Sequence, residues 1–161
     1  MAGSPYVIEY RGSFRLAASP AEVWEAIEHG ERFEGWWAWL REFRFDGPGL
    51  RAGTVLRGVV HPPVPYTMRV DVRLDRCDAP SLIEATVHGD LEGRARLALE
   101  PGDAVEADRS TKADVAWTIE MRQRTMRVAA RVAHPLLRWG HDRVVEATVA
   151  GFERHLTGRP G

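Results

Sequence analysis

Cysteine is nearly absent: Cys77 stands alone in 161 residues, which excludes an internal disulfide and any metal site built on several thiolates. Its simplest reading is a small apolar side chain in a reducing compartment. Lysine is nearly absent too; Lys112 is the one lysine among 22 basic residues, a bias that points to a GC-rich bacterial genome. Net charge is also missing. At −1 the chain has no overall field to draw it to nucleic acid or anionic lipid. No apolar run approaches the roughly 18 residues of a membrane span. Met1 to Tyr10 lacks a basic segment followed by an apolar one, so no secretory signal is expected and the cytoplasm is the default. No glycine-rich strand-to-helix fingerprint occurs, and Gly47-Pro48-Gly49 is a turn, not a phosphate cradle. The six histidines (His29, His61, His88, His134, His141, His155) are scattered with no cysteine or carboxylate cluster beside them. No metal and no cofactor are expected.

What is present is alternation. Tyr6, Ile8, Tyr10, Phe14 and Leu16 interleave with Glu9, Arg11, Ser13 and Arg15, the period of a half-buried strand. Ser19-Pro20-Ala21-Glu22 then reads as an N-cap, a proline at the first helical position and the glutamate of a capping box. A short helix should bury Val23, Trp24 and Ile27, with Gly30 as a left-handed terminator. A second short helix is expected to carry Phe33, Trp36, Trp37 and Leu40. Further strands are predicted over 41–46, 54–60, 67–74, around 83–87, 91–99 and 115–121, giving seven in antiparallel hairpins. Met68, Val70, Val72 and Leu74 should share one face, with Arg69, Asp71, Arg73 and Asp75 on the other. That charged side, of mixed sign, reads as a solvated face with cross-strand pairs. Asp90 and Glu92 point outward by parity, and Asp90 suits a hairpin turn.

From Thr125 to Leu156 the spacing turns helical, through Ala129, Val132, Ala133, Leu136, Gly140, Val144, Thr148, Phe152 and Leu156. Such a helix would be about 45 Å long, with a kink expected near His134-Pro135. The fold class is therefore α+β: one domain over residues 1–161, a curved antiparallel sheet around a long C-terminal helix, with two short helices after the first strand. A sheet gripping one helix leaves the space between them incompletely filled. Ala85, Gly89, Gly93 and Ala95 are small on the inferred inner face, with Met68, Trp117, Met121, Trp36 and Trp37 around them. Those small residues read either as close packing beneath the helix or as the floor of a hollow.

Several segments resemble a known family. They are His88-Gly89-Asp90-Leu91-Glu92-Gly93-Arg94 before an alternating strand, Val115-Ala116-Trp117, and the helical stretch from His134-Pro135 to Trp139-Gly140-His141-Asp142. With Ser19-Pro20-Ala21-Glu22-Val23-Trp24 and Val64-Pro65-Tyr66, they look like the bacterial polyketide cyclase/dehydrase branch of the START-like (SRPBCC) superfamily. Gly140 departs from the pattern, since many members carry asparagine there. The resemblance covers nearly the whole chain and implies a helix-grip fold enclosing a hydrophobic cavity that takes lipids, sterols, polyketides or similar molecules.

The residues expected to line that cavity are Trp36, Trp37, Tyr66, Met68, Gly93, Trp117, Met121, Leu136, Trp139 and Gly140, with Tyr66 able to donate to a ligand carbonyl. His141 is the candidate acid–base residue; its alternative is a structural hydrogen bond. Adjacent helical residues do not face each other, so Asp142 is not expected to orient it. The leading functional expectation is a binder of a small apolar, cyclic or aromatic ligand. A polyketide cyclase or dehydratase is the alternative, and a ligand-free interaction module docking through Trp36–Trp39 the third. The expected partner is a small apolar ligand, with no nucleic acid and no membrane insertion. Trp39 is expected at the cavity mouth or on a homodimer surface.

Overall fold

The computed structural model describes residues 7–30, 33–62, 67–103, 109–122 and 124–156; the side chains of Trp36, of 124–137 and the surroundings of Gly140 also lie outside the described set. The alternating segments form β1 (Val7–Leu16), β2 (Leu40–Asp46), β3 (Val55–Val60), β4 (Met68–Asp78), β5 (Leu82–Gly89), β6 (Leu91–Pro101) and β7 (Thr111–Met121). The helices are α1 (Pro20–Glu28), α2 (Phe33–Trp36) and α3 (Arg124–Leu156). All seven strands join one curved antiparallel sheet in the order β1-β7-β6-β5-β4-β3-β2. Consecutive strands from β2 to β7 are neighbours, so hairpins make most of the sheet. Only β1 is brought in from a distance, to pair along its whole length with β7. No described helix is long and apolar enough to cross a membrane.

The capping box forms as the sequence predicts. Ser19 Oγ accepts the Glu22 N–H at 3.2 Å, and Glu22 Oε2 accepts the Ser19 N–H at 2.8 Å. Helix α1 then buries Val23, Trp24 and Ala26. Its other end differs from expectation. Gly30 is not left-handed; a Cβ there would stand 1.7 Å from Cε2 of Phe45, so the glycine makes room for a ring from β2. The second helix is a single turn, and Leu40, expected within it, instead opens β2 opposite Val60. Trp37 and Trp39 lie between the two elements.

Strand β4 runs further than its alternation suggested, because a bulge between Leu74 and Arg76 absorbs Asp75 as an extra residue. Parity resets after the bulge, and Cys77 turns inward opposite Ile83. Burial raises the Cys77 thiol above its ordinary value, as suits a small packed side chain. Strand β7 begins at Thr111, four positions before the strand predicted from Val115. Thr111 is fully buried, and its hydroxyl donates to the Ala18 carbonyl at 2.7 Å, tying β7 to the β1–α1 junction. Asp90 does take up turn chemistry, accepting the Arg69 N–H at 2.7 Å.

The outer sheet face carries ion pairs such as Arg57–Asp71 at 3.3 Å and Arg122–Glu92 at 3.5 Å. Exposed pairs of this kind add little to stability. The inner face divides into two packed groups. One joins Leu16, Val23, Trp24, Leu74, Leu99 and Phe152; the other joins Met68, Val87, Leu91 and Met121. Helix α3 passes through Pro135 as one continuous element from Arg124 to Leu156. The predicted kink falls among residues whose side chains lie outside the described set.

Thr111→Val keeps the shape of the side chain but leaves the buried Ala18 carbonyl without its partner. The expected loss is about 1–3 kcal/mol of unfolding free energy in urea titration; an unchanged midpoint would mean this tie contributes nothing.

Candidate functional site

A cavity of about 410 Å³ lies between α3 and the sheet. Helix α3 contributes His141, Val144, Val145, Thr148, Val149 and Phe152, the three- and four-residue spacing of one helix face. The floor comes from the inner positions of three adjacent strands: Phe14 and Leu16 of β1, Ala113, Val115 and Trp117 of β7, and Leu97 and Leu99 of β6. Val23 and Ile27 of α1 close one side, with Phe33, Trp37 and Trp39 forming another wall.

Two hydrogen bonds span from these walls to the helix. Trp117 Nε1 donates to His141 Nε2 at 3.0 Å, and Trp37 Nε1 donates to the Thr148 carbonyl at 2.9 Å. The Thr148 hydroxyl is also engaged, donating to the Val144 carbonyl at 2.6 Å. Because His141 Nε2 accepts, a neutral ring carries its proton on Nδ1, which faces Asp142 Oδ1 at 3.3 Å. The Asp142 contact corrects the sequence reading. His141 sits at the border of the buried face with 14% of its side chain exposed, and the Asp142 carboxylate reaches it from the solvent side. At 3.3 Å the contact is a loose restraint. The firm partner is the indole.

Tyr10 is not part of the cavity lining but packs against two residues that are, Trp117 and His141. It pairs with Trp117 across β1 and β7, and the rings stack with centroids 4.5 Å apart and planes 25° from parallel. Directly opposed aromatic pairs gain both area and ring–ring attraction. Tyr10 also meets His141 edge-on at 5.4 Å. Gly12 is a glycine for this reason, since a Cβ there would lie 2.3 Å from the Tyr10 hydroxyl oxygen. At the other wall Trp37 stacks on Trp39 at 5.4 Å and 15°. The Trp39 Nε1 atom is enclosed by protein without a hydrogen-bond partner.

Of the residues singled out in the sequence, the structure brings Trp37, Trp117 and His141 onto this cavity. Met68 and Met121 lie elsewhere, packed against Val87 and Leu91 in the second group. Gly93 has a different role: a Cβ on it would stand 1.9 Å from the Thr118 carbonyl, so the glycine lets β6 approach β7. Ala85 and Ala95, its small neighbours, are packed into the two apolar groups and do not line this cavity. Trp139 faces solvent with 46% exposure, its ring covered in part by the Arg143 guanidinium at 5.7 Å. Two positions before His141 is about 200° around a helix, so Trp139 and His141 occupy opposite faces. Tyr66 lies outside the described residues, as do the side chains of Trp36 and Leu136 and the surroundings of Gly140.

The sequence reading missed, among other lining residues, Phe14, Val145 and Val149. For the valines a signal existed, because both share the helix face of His141 at i+4 and i+8. The stacking of Tyr10 on Trp117 gave no signal without the register of β1 on β7.

Burial, and then the charge of Asp142, raise the Tyr10 phenol above its ordinary value of 10.0. A raised acid favours its protonated form in the folded state. Its contribution to stability is complete below about pH 10, where the unfolded phenol titrates, and is lost as pH rises through the higher folded value. Tyr10→Phe should therefore flatten the fall of stability on the alkaline side, measured by urea midpoints across that range. An identical alkaline slope in the variant would refute the coupling.

No protein-family model matches the chain, and neither does any curated protein sequence. Solved structures do. The Zhui aromatase/cyclase from Streptomyces sp. R1128 superposes with a TM-score of 0.74 at 12% identity, over 94% of each chain. TTHA0849 from Thermus thermophilus gives 0.73 at 15% identity, covering 94% of this chain and 98% of its own. A START superfamily protein from Mycobacterium smegmatis gives 0.70 at 14% identity, over 93% of this chain and 97% of its own. Identities this low speak to architecture and not to chemistry. With its seven strands in one curved sheet, two short helices after the first strand and a long last helix, this chain has the START-like helix-grip fold.

Proposed function

We propose that the protein binds a small, predominantly apolar ligand in the cavity between the sheet and α3. The observation that carries this reading is the cavity itself. It measures about 410 Å³, inside the range of sites that enclose small organic molecules, and its walls are aliphatic and aromatic. Folded proteins hide most of their carbon surface, and a half-open pocket of this size lined by carbon offers that surface to an apolar ligand. The flat faces of Trp37, Trp39 and Trp117 suit a cyclic or aromatic occupant. The segments His88–Arg94 and Trp139–Asp142 support a position in the polyketide cyclase/dehydrase branch of the superfamily, working as a bacterial cytoplasmic protein.

Catalysis of ring closure is the second reading, favoured by the likeness to an aromatase/cyclase. A cavity of fixed shape could fold a flexible chain into a reactive conformation with little help from side chains. His141 would have to serve as the proton carrier, yet its Nε2 is held by Trp117. That occupied lone pair favours binding over acid–base chemistry.

The test is to incubate the purified protein with a pool of fatty acids, isoprenoids and aromatic polyketides, ultrafilter it, and compare retained masses with a protein-free control. Binding predicts an apolar compound retained unchanged; a new mass formed only with protein would shift the assignment to catalysis. Val149→Phe projects a ring into the cavity and should weaken retention by about tenfold or more, the equivalent of the cost of overfilling a packed site. Equal retention by the variant and the unaltered protein would move the ligand out of this cavity.

A further inference from the structure

We infer that the cavity selects ligands whose enclosed part is bare hydrocarbon and discriminates against the same skeleton bearing a carbonyl or hydroxyl group. The inference rests on the binding reading above and specifies its chemistry. Among the described residues, the wall that a ligand would touch is carbon throughout, although three tryptophans, a histidine and a threonine stand on it. Each of those polar groups is accounted for. The Trp117 N–H goes to His141 Nε2, and the His141 Nδ1 side faces Asp142. The Trp37 N–H goes to the Thr148 carbonyl, and the Thr148 hydroxyl turns back to Val144. The Trp39 N–H is shut behind protein atoms and does not reach the cavity surface.

The consequence is thermodynamic. An oxygen carried into this space loses its hydrogen bonds to water and gains none in return. Each such oxygen should cost about tenfold in affinity, and up to about a hundredfold where no rearrangement supplies a partner. For a chain with a carbonyl on every second carbon these factors multiply. An oxygen-rich poly-β-ketone is then a poor occupant, and a fused aromatic or isoprenoid body a good one. Any polar group on the ligand must stay at the rim.

The arrangement also says how the preference could be changed. Trp117 is the donor that occupies His141 Nε2. Replacing it by phenylalanine keeps an aromatic ring on the wall and leaves that nitrogen as an unpaired acceptor, while Asp142 still faces Nδ1. The Trp117→Phe protein should gain affinity for a ligand that donates a hydrogen bond. Trp37→Phe does the same at the other wall by releasing the Thr148 carbonyl, and serves as the second variant should the first fail to fold.

The experiment uses three flat tricyclic probes of one skeleton: fluorene, 9-fluorenone and 9-fluorenol. Their affinities for the unaltered protein are measured by quenching of tryptophan fluorescence, alongside their partition from water into cyclohexane, a solvent that offers no hydrogen bonds. A wall without polar partners predicts that the affinity ratios follow the cyclohexane ratios, fluorene binding tightest. In Trp117→Phe, fluorenol should improve relative to fluorene by about tenfold, one recovered hydrogen bond. Fluorenone or fluorenol binding as tightly as fluorene to the unaltered protein would overturn the selectivity and leave the cavity as a binding site. Failure of all three probes to bind would overturn the binding reading itself.

Discussion

A sheet of seven strands with one apolar face has more surface to hide than one helix can cover, and the rest of this structure follows from how that mismatch is met. Among the described residues, no helix lies in the connections between β2 and β7. Cover must come from the two ends of the chain's order: α1 and α2 just after β1, and α3 after β7. Pairing β1 with β7 brings those two sources of cover to the same edge. There the sheet curls beneath α3, and α1 with the Trp37–Trp39 segment fills the remaining side. The cavity is the volume these three contributions fail to fill. It lies over β1, β7 and the end of β6, the region where all three meet.

The same geometry explains why the cavity's polar groups point at one another. A tryptophan on a strand facing a helix must place its N–H somewhere, and the helix offers few acceptors because its carbonyls are already bonded along the axis. Trp117 meets the His141 imidazole on the helix face. Trp37 takes a carbonyl whose helix turn also carries the Thr148 hydroxyl bond. Both bonds bridge the cavity walls and satisfy the groups that would otherwise give the cavity a polar surface. The cross-wall bonds therefore brace the hollow and strip it of hydrogen-bonding capacity at once. Histidine at position 141 is the acceptor for this indole.

The architecture was legible in the sequence because local signals agreed with the global fold. Alternation marked the strands, the Ser19–Glu22 box marked the start of α1, and the change of period after Met121 marked α3. Errors came where tertiary contact overrode local pattern. Gly30 answers to the Phe45 ring, Gly93 to the Thr118 carbonyl, and Leu40 to its partner Val60. None of these neighbours is near in sequence. The candidate site was legible in part. Trp117 and His141 were readable because each sits at an inward position of an obvious element. Met68 and Met121 were inward as well, but inward-facing does not mean cavity-facing, and the sheet is long enough to hold a packed region and a hollow side by side. Which stretch of strand lies under the hollow depends on where α1 and Trp37 come to rest. Periodicity carries no information about that.

Small residues on an inner face were the least informative signal. Ala85 and Ala95 could have meant a hollow, yet they lie in a row that continues through Trp117 to Tyr10 across four paired strands. Small side chains at one end of the row and two large rings at the other are one arrangement: the sheet concentrates its bulk near β1. Beyond the rings the floor is made by Phe14, Leu16, Leu97, Leu99, Ala113 and Val115, and the space opens. Trp117, with Tyr10 stacked on it, thus forms an end wall, and His141, held against Trp117, fixes how far α3 can approach. On this account cavity length is set by where the Tyr10–Trp117 stack stands along the strands. Relatives of the same fold could change the size of their ligands by moving an aromatic pair two residues along β1 and β7, with the hydrogen-bonded frame of the sheet unaltered.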